Sequence, residues 1–131
     1  MSKKGPLIII PGGISPFPSR AELTAAYILR DHFQADVEFI LRDNCKTPDF
    51  LINHTSWELK TPTGNGKRNL QHTISRALKQ SQNIVVDARF SKIHIAKIKS
   101  RLTNELNKNK QIKRLIVIDK QKRVIEISRT L

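Results

Sequence analysis

Two acids and a lysine stand close together in the segment KTPDFLINHTSWELKTPTGNG, which spans residues 46–66. Asp49 follows a proline at the start of one apolar run, and Glu58 and Lys60 lie in a second apolar run. Two carboxylates that converge repel each other unless a cation joins them, and a hard divalent cation suits oxygen ligands best. Lys60 beside them can hold an attacking water or stabilise the charge that grows on a phosphate. The residue types therefore indicate metal-dependent phosphodiesterase chemistry.

A β-hairpin must position these groups. Two runs, 49–53 and 56–60, are rich in large apolar side chains, and we predict that the hairpin turns at 54–55. A symmetric hairpin would set Asp49 opposite Lys60, with the two carboxylates of the site diagonal to each other on one face. Diagonal neighbours lie roughly 7–8 Å apart at Cβ, which is near enough for the two carboxylates to share one ion.

Alternation along the second strand of the hairpin gives it two different faces. Glu58 and Lys60 share one face, whereas Trp57 and Leu59 share the other, so we expect Trp57 in the core rather than as a base-stacking platform. A register slip of one residue would turn every side chain to the opposite face. A solvent-facing strand edge is the alternative, because a Glu-x-Lys triplet occurs by chance in roughly one chain in three of this length.

A third acid, Glu22, belongs to a helix that we predict over 20–33, with Ser19 as its N-cap. Helical spacing aligns Glu22 with the apolar stripe that ends at Phe33. Two interpretations stay open. A carboxylate at the end of a core-facing stripe needs a partner, whereas any acid in a first turn favours the helix dipole.

The remaining elements alternate between strands and helices. We predict a strand or packed arm at 7–10, strands at 36–41, 83–87, 113–119 and 123–128, and helices at 67–81 and at 91–107, the last capped by Ser91. The strand at 83–87, NIVVD, is expected to be fully buried. This order predicts an α/β fold with a central mixed β-sheet flanked by helices.

The charge of the chain limits its partners. With 131 residues the chain is long enough for one domain, and its net charge of +13 indicates a polyanionic partner. Residues 92–131 hold twelve Lys and Arg against three acids. No apolar run reaches the length of a spanning helix and no signal peptide is expected, so nucleic acid is favoured over a membrane. Cys45 is the one cysteine, which excludes an internal disulfide and is compatible with action in the cytoplasm.

The helix at 67–81 offers a place for nucleic acid. Its first turn brings Lys67 and Arg68 next to free backbone amides, a combination that binds phosphate well.

The order of elements and motifs resembles the PD-(D/E)xK nuclease superfamily. The residues that carry this resemblance are a Pro-Asp pair at 48–49, a Glu-x-Lys triplet at 58–60 and the helix-borne acid before them. The resemblance implies a restriction-endonuclease-like fold with an α-β-β-β-α-β core over 20–87. It also implies Mg²⁺, Mn²⁺ or another divalent cation as cofactor, with one catalytic lysine and three metal-binding catalytic acids: Lys60, Asp49, Glu58 and Glu22.

A longer string, TPDFLIN…WELKTPTG…LQHTISRALKQSQNIVVD, is similar to the C-terminal tRNA-cleaving toxin domains of contact-dependent growth inhibition (CdiA) proteins. This resemblance implies an endoribonuclease acting on tRNA, an immunity protein as a partner, and delivery as a toxin that acts in the cytoplasm. It further implies that one face of the helix at 67–81 meets the nucleic acid, through Lys67, Gln71, Ser75, His72 and Arg76.

Two other functions stay open at this point. One is a DNA endonuclease or junction resolvase of the same superfamily, and the other is a non-catalytic nucleic-acid-binding module. An aromatic content of 5% argues against a stacking-platform binder. Toxin domains of this kind are released from larger proteins, whereas this chain opens with Met1, so it is either a freestanding relative or a part of a larger protein. We expect one nuclease domain over 1–131, divided into an N-terminal arm at 1–19, a catalytic core at 20–87, and a basic helix and hairpin at 88–131.

Overall fold

The computed structural model of the chain describes residues 5–41, 47–63 and 67–130, with the backbone only for Lys67. Within these residues, seven strands form one mixed sheet and each strand lies beside its neighbour in sequence. The helices are α1 (Arg20–Phe33), α2 (Lys67–Ala77) and α3 (Ile95–Lys108). The strands are β1 (Ile8–Ile9), β2 (Val37–Phe39), β3 (Phe50–Ile52), β4 (Thr55–Lys60), β5 (Asn83–Asp87), β6 (Arg114–Ile118) and β7 (Val124–Ile127). The predicted fold class, a mixed sheet flanked by helices, is confirmed.

The centre of the sheet is parallel. Strands β4, β5 and β6 run in the same direction, and Lys60 of β4 pairs with Val86 of β5. Strands β3 and β7 run antiparallel to their neighbours, and β1 pairs with β2 in parallel. Because parallel strands end at the same edge of a sheet, Lys60 and Asp87 lie at one edge.

The helices cover both faces of the sheet. Helix α1 packs with Trp57 and Val85 on one face, whereas α2 and α3 pack with Ile84 and Val86 on the other. Trp57 is 1% exposed, so its predicted place in the core is confirmed. The neighbouring residues of β5 point to opposite faces. Residues 84–87 are buried and Asn83 is half-buried, so the prediction of a fully buried strand is confirmed except at its first residue.

Helix α1 begins where the sequence predicts. Ser19 Oγ accepts a hydrogen bond from the backbone N of Glu22, and the Glu22 carboxylate accepts one from the backbone N of Ser19, which is a capping box. The predicted bounds of 20–33 are confirmed. Ala25, Ala26 and Leu29 form the buried stripe of α1, so the helix is held by packing as well as by its cap.

The hairpin between β3 and β4 turns one residue earlier than predicted. Asn53 and His54 form the turn, with φ of 50° and 65°, so the prediction of a turn at 54–55 is wrong. Ile52 pairs with Thr55, and extending this register sets Asp49 across from Glu58 rather than from Lys60. Asn tolerates a positive φ well, whereas a β-branched threonine does not, which explains why the turn excludes Thr55.

Helix α2 ends at Ala77 and not at 81. Beyond Ala77 the regular helical pattern is interrupted, because Lys79 N donates to Arg76 O and Gln80 N donates to Ala77 O, each three residues back in the chain. Ser81 Oγ instead donates to the backbone carbonyl of Ser56, which ties the end of this turn to β4. The predicted bounds of β5 and the predicted end of β4 are confirmed, whereas the other predicted strand ends differ by one or two residues from those observed.

Helix α3 begins after Ser91, so the prediction of Ser91 as its N-cap is wrong. Ser91 Oγ accepts a hydrogen bond from Ile93 N and closes a local turn. His94 is the N-cap instead, and its Nδ1 accepts from Ala96 N.

Across the described parts of the chain, no helix is both long enough and apolar enough to cross a membrane.

Candidate active site

The structure brings Asp49, Glu58 and Lys60 together at the hairpin. Asp49 Oδ2 accepts a hydrogen bond from Leu59 N at 2.9 Å, so this side chain takes the place of a backbone partner where the β3–β4 pairing ends. Lys60 Nζ lies 3.0 Å from Glu58 Oε2. The side chain of Glu58 is 3% exposed and that of Lys60 is 26% exposed, which makes the lysine the solvent-facing member of the group.

The environment of Glu58 favours its neutral form. Burial of the carboxyl, reinforced by the nearby charge of Asp49, raises the pKa of Glu58 to about 8, although Lys60 acts in the opposite direction. Glu58 Oε1 is buried and has no hydrogen-bond partner in the described parts of the structure. A proton or a further cation at Glu58 Oε1 would therefore stabilise this buried oxygen.

The donor set fits a hard divalent cation, because Asp49 and Glu58 offer carboxylate oxygens and one of these oxygens has no donor of its own. The fit rests on two acids. No group of three or more His, Cys, Asp or Glu is placed to hold a metal ion in residues 5–41, 47–63 and 67–130.

Glu22 contributes to two features of the structure, the cap of α1 and a small cavity. Its carboxylate closes the capping box of α1, so the interpretation of a first-turn acid that supports the helix is confirmed. Glu22 also lines a cavity of about 20 Å³ together with Asp49. That volume holds about one water-sized particle. The structure therefore places Glu22 next to the Asp49 side of the site, across a cavity that a small ligand can fill.

The polar face of α2 is exposed. Arg68 and Gln71 are exposed, and His72 and Arg76 line an open hollow of about 470 Å³. Asn69, Ser75 and Lys79 complete this hollow. The side chain of Lys67, which the sequence also assigns to this face, lies outside the described residues, as does the segment just before the helix. The described cations and hydrogen-bond donors suit a phosphate backbone.

Residues 46–124, more than half of the chain, match the contact-dependent growth inhibition CdiA C-terminal domain family. The chain belongs to this family. The matched CdiA C-terminal segment contains Asp49, Glu58, Lys60 and all of α2, whereas Glu22 lies before it. A search of curated proteins gives no match.

A solved structure gives a second comparison for this CdiA C-terminal domain. The chain is similar to the CdiA-CT/CdiI toxin and immunity complex from Burkholderia pseudomallei, with a TM-score of 0.64 and 27% sequence identity. The similarity covers 95% of this chain and 99% of the other. The mixed sheet with its helices is therefore the fold of a CdiA toxin domain.

An ion pair between Asp87 and Arg89, near the start of α1, was not predicted from the sequence. Asp87, fully buried at the end of β5, accepts hydrogen bonds from Arg89 Nε and Nη2 at 2.9 and 2.7 Å. Arg89 Nη2 also donates to the backbone carbonyl of Ala21 at 2.9 Å, which attaches α1 beside Glu22 to the edge of the sheet. An Asp-x-Arg triplet that begins at the last residue of a buried strand is the signal that could have pointed to the pairing of Asp87 with Arg89.

Proposed function

We propose that the chain is a metal-dependent endonuclease that cleaves RNA, with tRNA as its favoured substrate, and that it acts as a toxin. The observation that carries this proposal is the buried pair of carboxyls of Asp49 and Glu58, in which Glu58 Oε2 lies 3.0 Å from Lys60 Nζ. Membership of the CdiA C-terminal family supports a toxic activity. Two acids and a lysine suit metal-assisted phosphodiester hydrolysis, because carboxylates can hold the cation and a lysine can stabilise charge on the phosphate.

Each residue has a separate part in this proposal. Asp49 and Glu58 would hold the divalent cation, Mg²⁺ or Mn²⁺, with Glu22 reaching it across the small cavity that it shares with Asp49. When bound, the cation would polarise a phosphate and acidify a water. Lys60, partly exposed beside Glu58, would orient the attacking water or stabilise the negative charge that develops on the phosphate. These roles agree with those of a PD-(D/E)xK nuclease.

The chain order supports placing the domain in the PD-(D/E)xK superfamily. Helix α1 is followed by β2, β3 and β4, then by α2 and β5, which is the α-β-β-β-α-β order of that core. The acid pair and the lysine lie at the ends of β3 and β4. Both the order and the position of the motif are those expected of such a nuclease.

The substrate is inferred from charge and shape. A net charge of +13 and the polar face of α2, with Arg68, Gln71, His72 and Arg76, favour a nucleic acid. We infer that this substrate is tRNA in the cytoplasm of a target cell. The similarity to a toxin and immunity complex supports an immunity protein as the natural inhibitor of the domain.

One incubation series tests the proposal. The protein is incubated with total tRNA and, separately, with supercoiled plasmid, each in Mg²⁺ and in EDTA. Cleavage of tRNA in Mg²⁺ and not in EDTA is the expected result. Cleavage of plasmid alone would indicate a DNA endonuclease or resolvase, and binding without any cleavage would indicate a non-catalytic module.

A further inference from the structure

Two exposed phenylalanine rings flank the start of α1. Phe17 is 64% exposed and Phe90 is 53% exposed, the highest values among the aromatic side chains that the structure describes as large exposed hydrophobics. One ring belongs to the segment that enters α1, and the other follows β5 at the edge of the sheet where Lys60 lies. Neither ring belongs to the buried core, so both rings are accessible to a ligand.

Phe17 stands at the rim of the small cavity of the candidate site. Its neighbours Pro16 and Pro18 both line that cavity together with Glu22 and Asp49. Proline fixes φ, so two prolines restrict the backbone on both sides of the exposed ring. A restricted aromatic ring loses little conformational entropy when a ligand stacks on it.

Phe90 is held near the same helix end through an arginine. The guanidinium carbon of Arg89 lies 4.9 Å from the centre of the Phe90 ring. The same guanidinium donates to the carbonyl of Ala21 at 2.9 Å and is fixed by buried Asp87. Phe90 is therefore placed by a rigid contact next to the turn of α1 that carries Glu22.

The charge around the rings selects the kind of ligand. Arg20 and Lys92 are exposed and lie within three residues of Phe17 and Phe90 in the sequence. Aromatic rings combined with cations suit a single nucleic-acid strand, because the bases stack while the phosphates meet the positive charges. The guanidinium of Arg89 packs against the Phe90 ring, but its charge is paired with Asp87, so Arg20 and Lys92 are the cations that can meet phosphates here.

We propose that Phe17 and Phe90 form a stacking surface for unpaired bases of an RNA strand that lies across the candidate active site. This inference rests on the proposed function and adds to it the form of the substrate, an unstacked single-stranded stretch. The surface would hold the bases beside the bond to be cut, whereas α2 would hold phosphates further along the strand. Bases stack on aromatic rings with little preference among sequences, so the surface would select single strands and not a sequence.

The test uses an oligoribonucleotide of roughly ten nucleotides that carries one 2-aminopurine, a base whose fluorescence falls when it stacks. Binding is measured in EDTA with the wild-type protein and with Phe17→Ala and Phe90→Ala. We expect each substitution to remove much of the quenching and to weaken binding by about five- to one-hundred-fold. Phe17→Trp and Phe90→Trp should retain both, because the ring and not the phenylalanine itself is required.

Tyr27→Ala is the matched control. Tyr27 is an aromatic residue that is 47% exposed on α1, away from the lining of the small cavity, and its loss should leave the quenching unchanged. Unchanged quenching and affinity in both alanine variants would overturn the stacking surface, as would an equal loss in Tyr27→Ala. Loss of immunity-protein binding with RNA quenching intact would also overturn it, and would assign the rings to a protein interface.

The measurement separates this inference from the proposed function. Quenching is recorded in EDTA, so it does not depend on cleavage. If the wild-type protein quenches 2-aminopurine through both rings but cleaves nothing in Mg²⁺, the catalytic proposal fails and the stacking surface stands. If tRNA is cleaved but neither ring affects quenching, the stacking surface fails and the catalytic proposal stands.

Discussion

Glu58 is buried, lies next to a second acid, and is contacted by a lysine that reaches solvent. A glutamate is almost never fully buried unless it is paired, and here the pairing with Lys60 uses only one of its two oxygens. The raised pKa of Glu58 follows from its burial first and from Asp49 second. A group with these properties in an enzyme is a candidate for function, since stability alone would favour a hydrophobic residue there.

Asp49→Asn distinguishes a cation site from a structural contact. Asparagine keeps an oxygen that can accept from Leu59 N, but it removes the negative charge beside Glu58. We expect the melting temperature in EDTA above pH 8 to rise by about 3–6 °C, and the further rise that Mn²⁺ gives to the wild type to shrink. Asp31→Asn, at an exposed aspartate paired with Arg30, is the control and should change neither value.

The opposite result for Asp49→Asn would contradict its role as a ligand. A variant that melts at a lower temperature in EDTA and still shows the full Mn²⁺ shift would mean that Asp49 serves only to hold the hairpin.

The pKa of Glu58 sets a pH dependence of stability. Between the ordinary value of 4.5 in the unfolded chain and about 8 in the folded chain, the folded protein binds the extra proton. The free energy of unfolding of the metal-free protein should therefore fall as the pH rises through this range, and this contribution is lost above pH 8. Glu58→Gln should remove that fall, which thermal melts of both proteins in EDTA from pH 5 to pH 9 would measure.

The same proton competes with the metal. Below pH 8 the affinity for Mn²⁺ should increase by about tenfold per pH unit, because binding releases one proton from Glu58. An identical pH dependence of stability in the wild type and in Glu58→Gln would show that Glu58 is not the group that titrates.

Among the elements, the hairpin shows why the site was predictable although its turn was not. Moving the turn by one residue shifts the strand pairing by two, so Glu58 and Asp49 remain on one face. The alternation of Trp57 and Leu59 with Glu58 and Lys60 is a local property of β4, so it does not depend on where the turn lies. The residues of the site could therefore be found from the sequence, whereas the direct partner of Asp49 could not.

Local sequence signals predicted some ends of helices and strands correctly and others wrongly. Ser19 with Glu22 three residues later marks the start of α1, and the apolar run of β5 marks a buried strand. Ser91 gave the same kind of signal for α3 but closes a separate turn, because a serine hydroxyl serves either purpose. The bond from Arg89 to Ala21 joins residues 68 apart in the chain, and no local pattern predicts such a contact.

The positive φ of His54 leads to a prediction about the hairpin. Residues with a side chain are strained in this conformation by about 1–2 kcal/mol and glycine is not. His54→Gly gives the turn an Asn-Gly pair and should stabilise the protein by up to about 1 kcal/mol, whereas His54→Val should destabilise it. Urea denaturation of both variants measures this, and a more stable His54→Val would contradict the observed turn.

For the whole molecule, charge determines binding. The three acids of residues 92–131 are already paired, as in the contacts of Arg114 with Glu126 and of Arg123 with Asp119. All but one of the lysines and arginines in this part of the chain are exposed. We expect the affinity for tRNA to fall by on the order of a hundredfold or more between 50 and 200 mM salt. Filter binding at a series of salt concentrations measures how the affinity depends on salt. An affinity that does not change with salt would exclude a surface that contacts several phosphates.

We assign the cleavage of RNA to the carboxyl pair with Lys60, and the affinity for RNA to the lysines and arginines dispersed over the surface. Cleavage of tRNA in Mg²⁺ and equilibrium binding in EDTA are measured for wild type, Glu58→Gln and Lys60→Ala. Glu126→Gln and Lys108→Ala, at an exposed glutamate and an exposed lysine that form ion pairs away from the site, are the matched controls.

Glu58→Gln and Lys60→Ala should each abolish cleavage and change binding by no more than a few fold, because most phosphate contacts remain. Both control variants should cleave as the wild type does. Wild-type turnover in either Glu58→Gln or Lys60→Ala would contradict the assignment of this site.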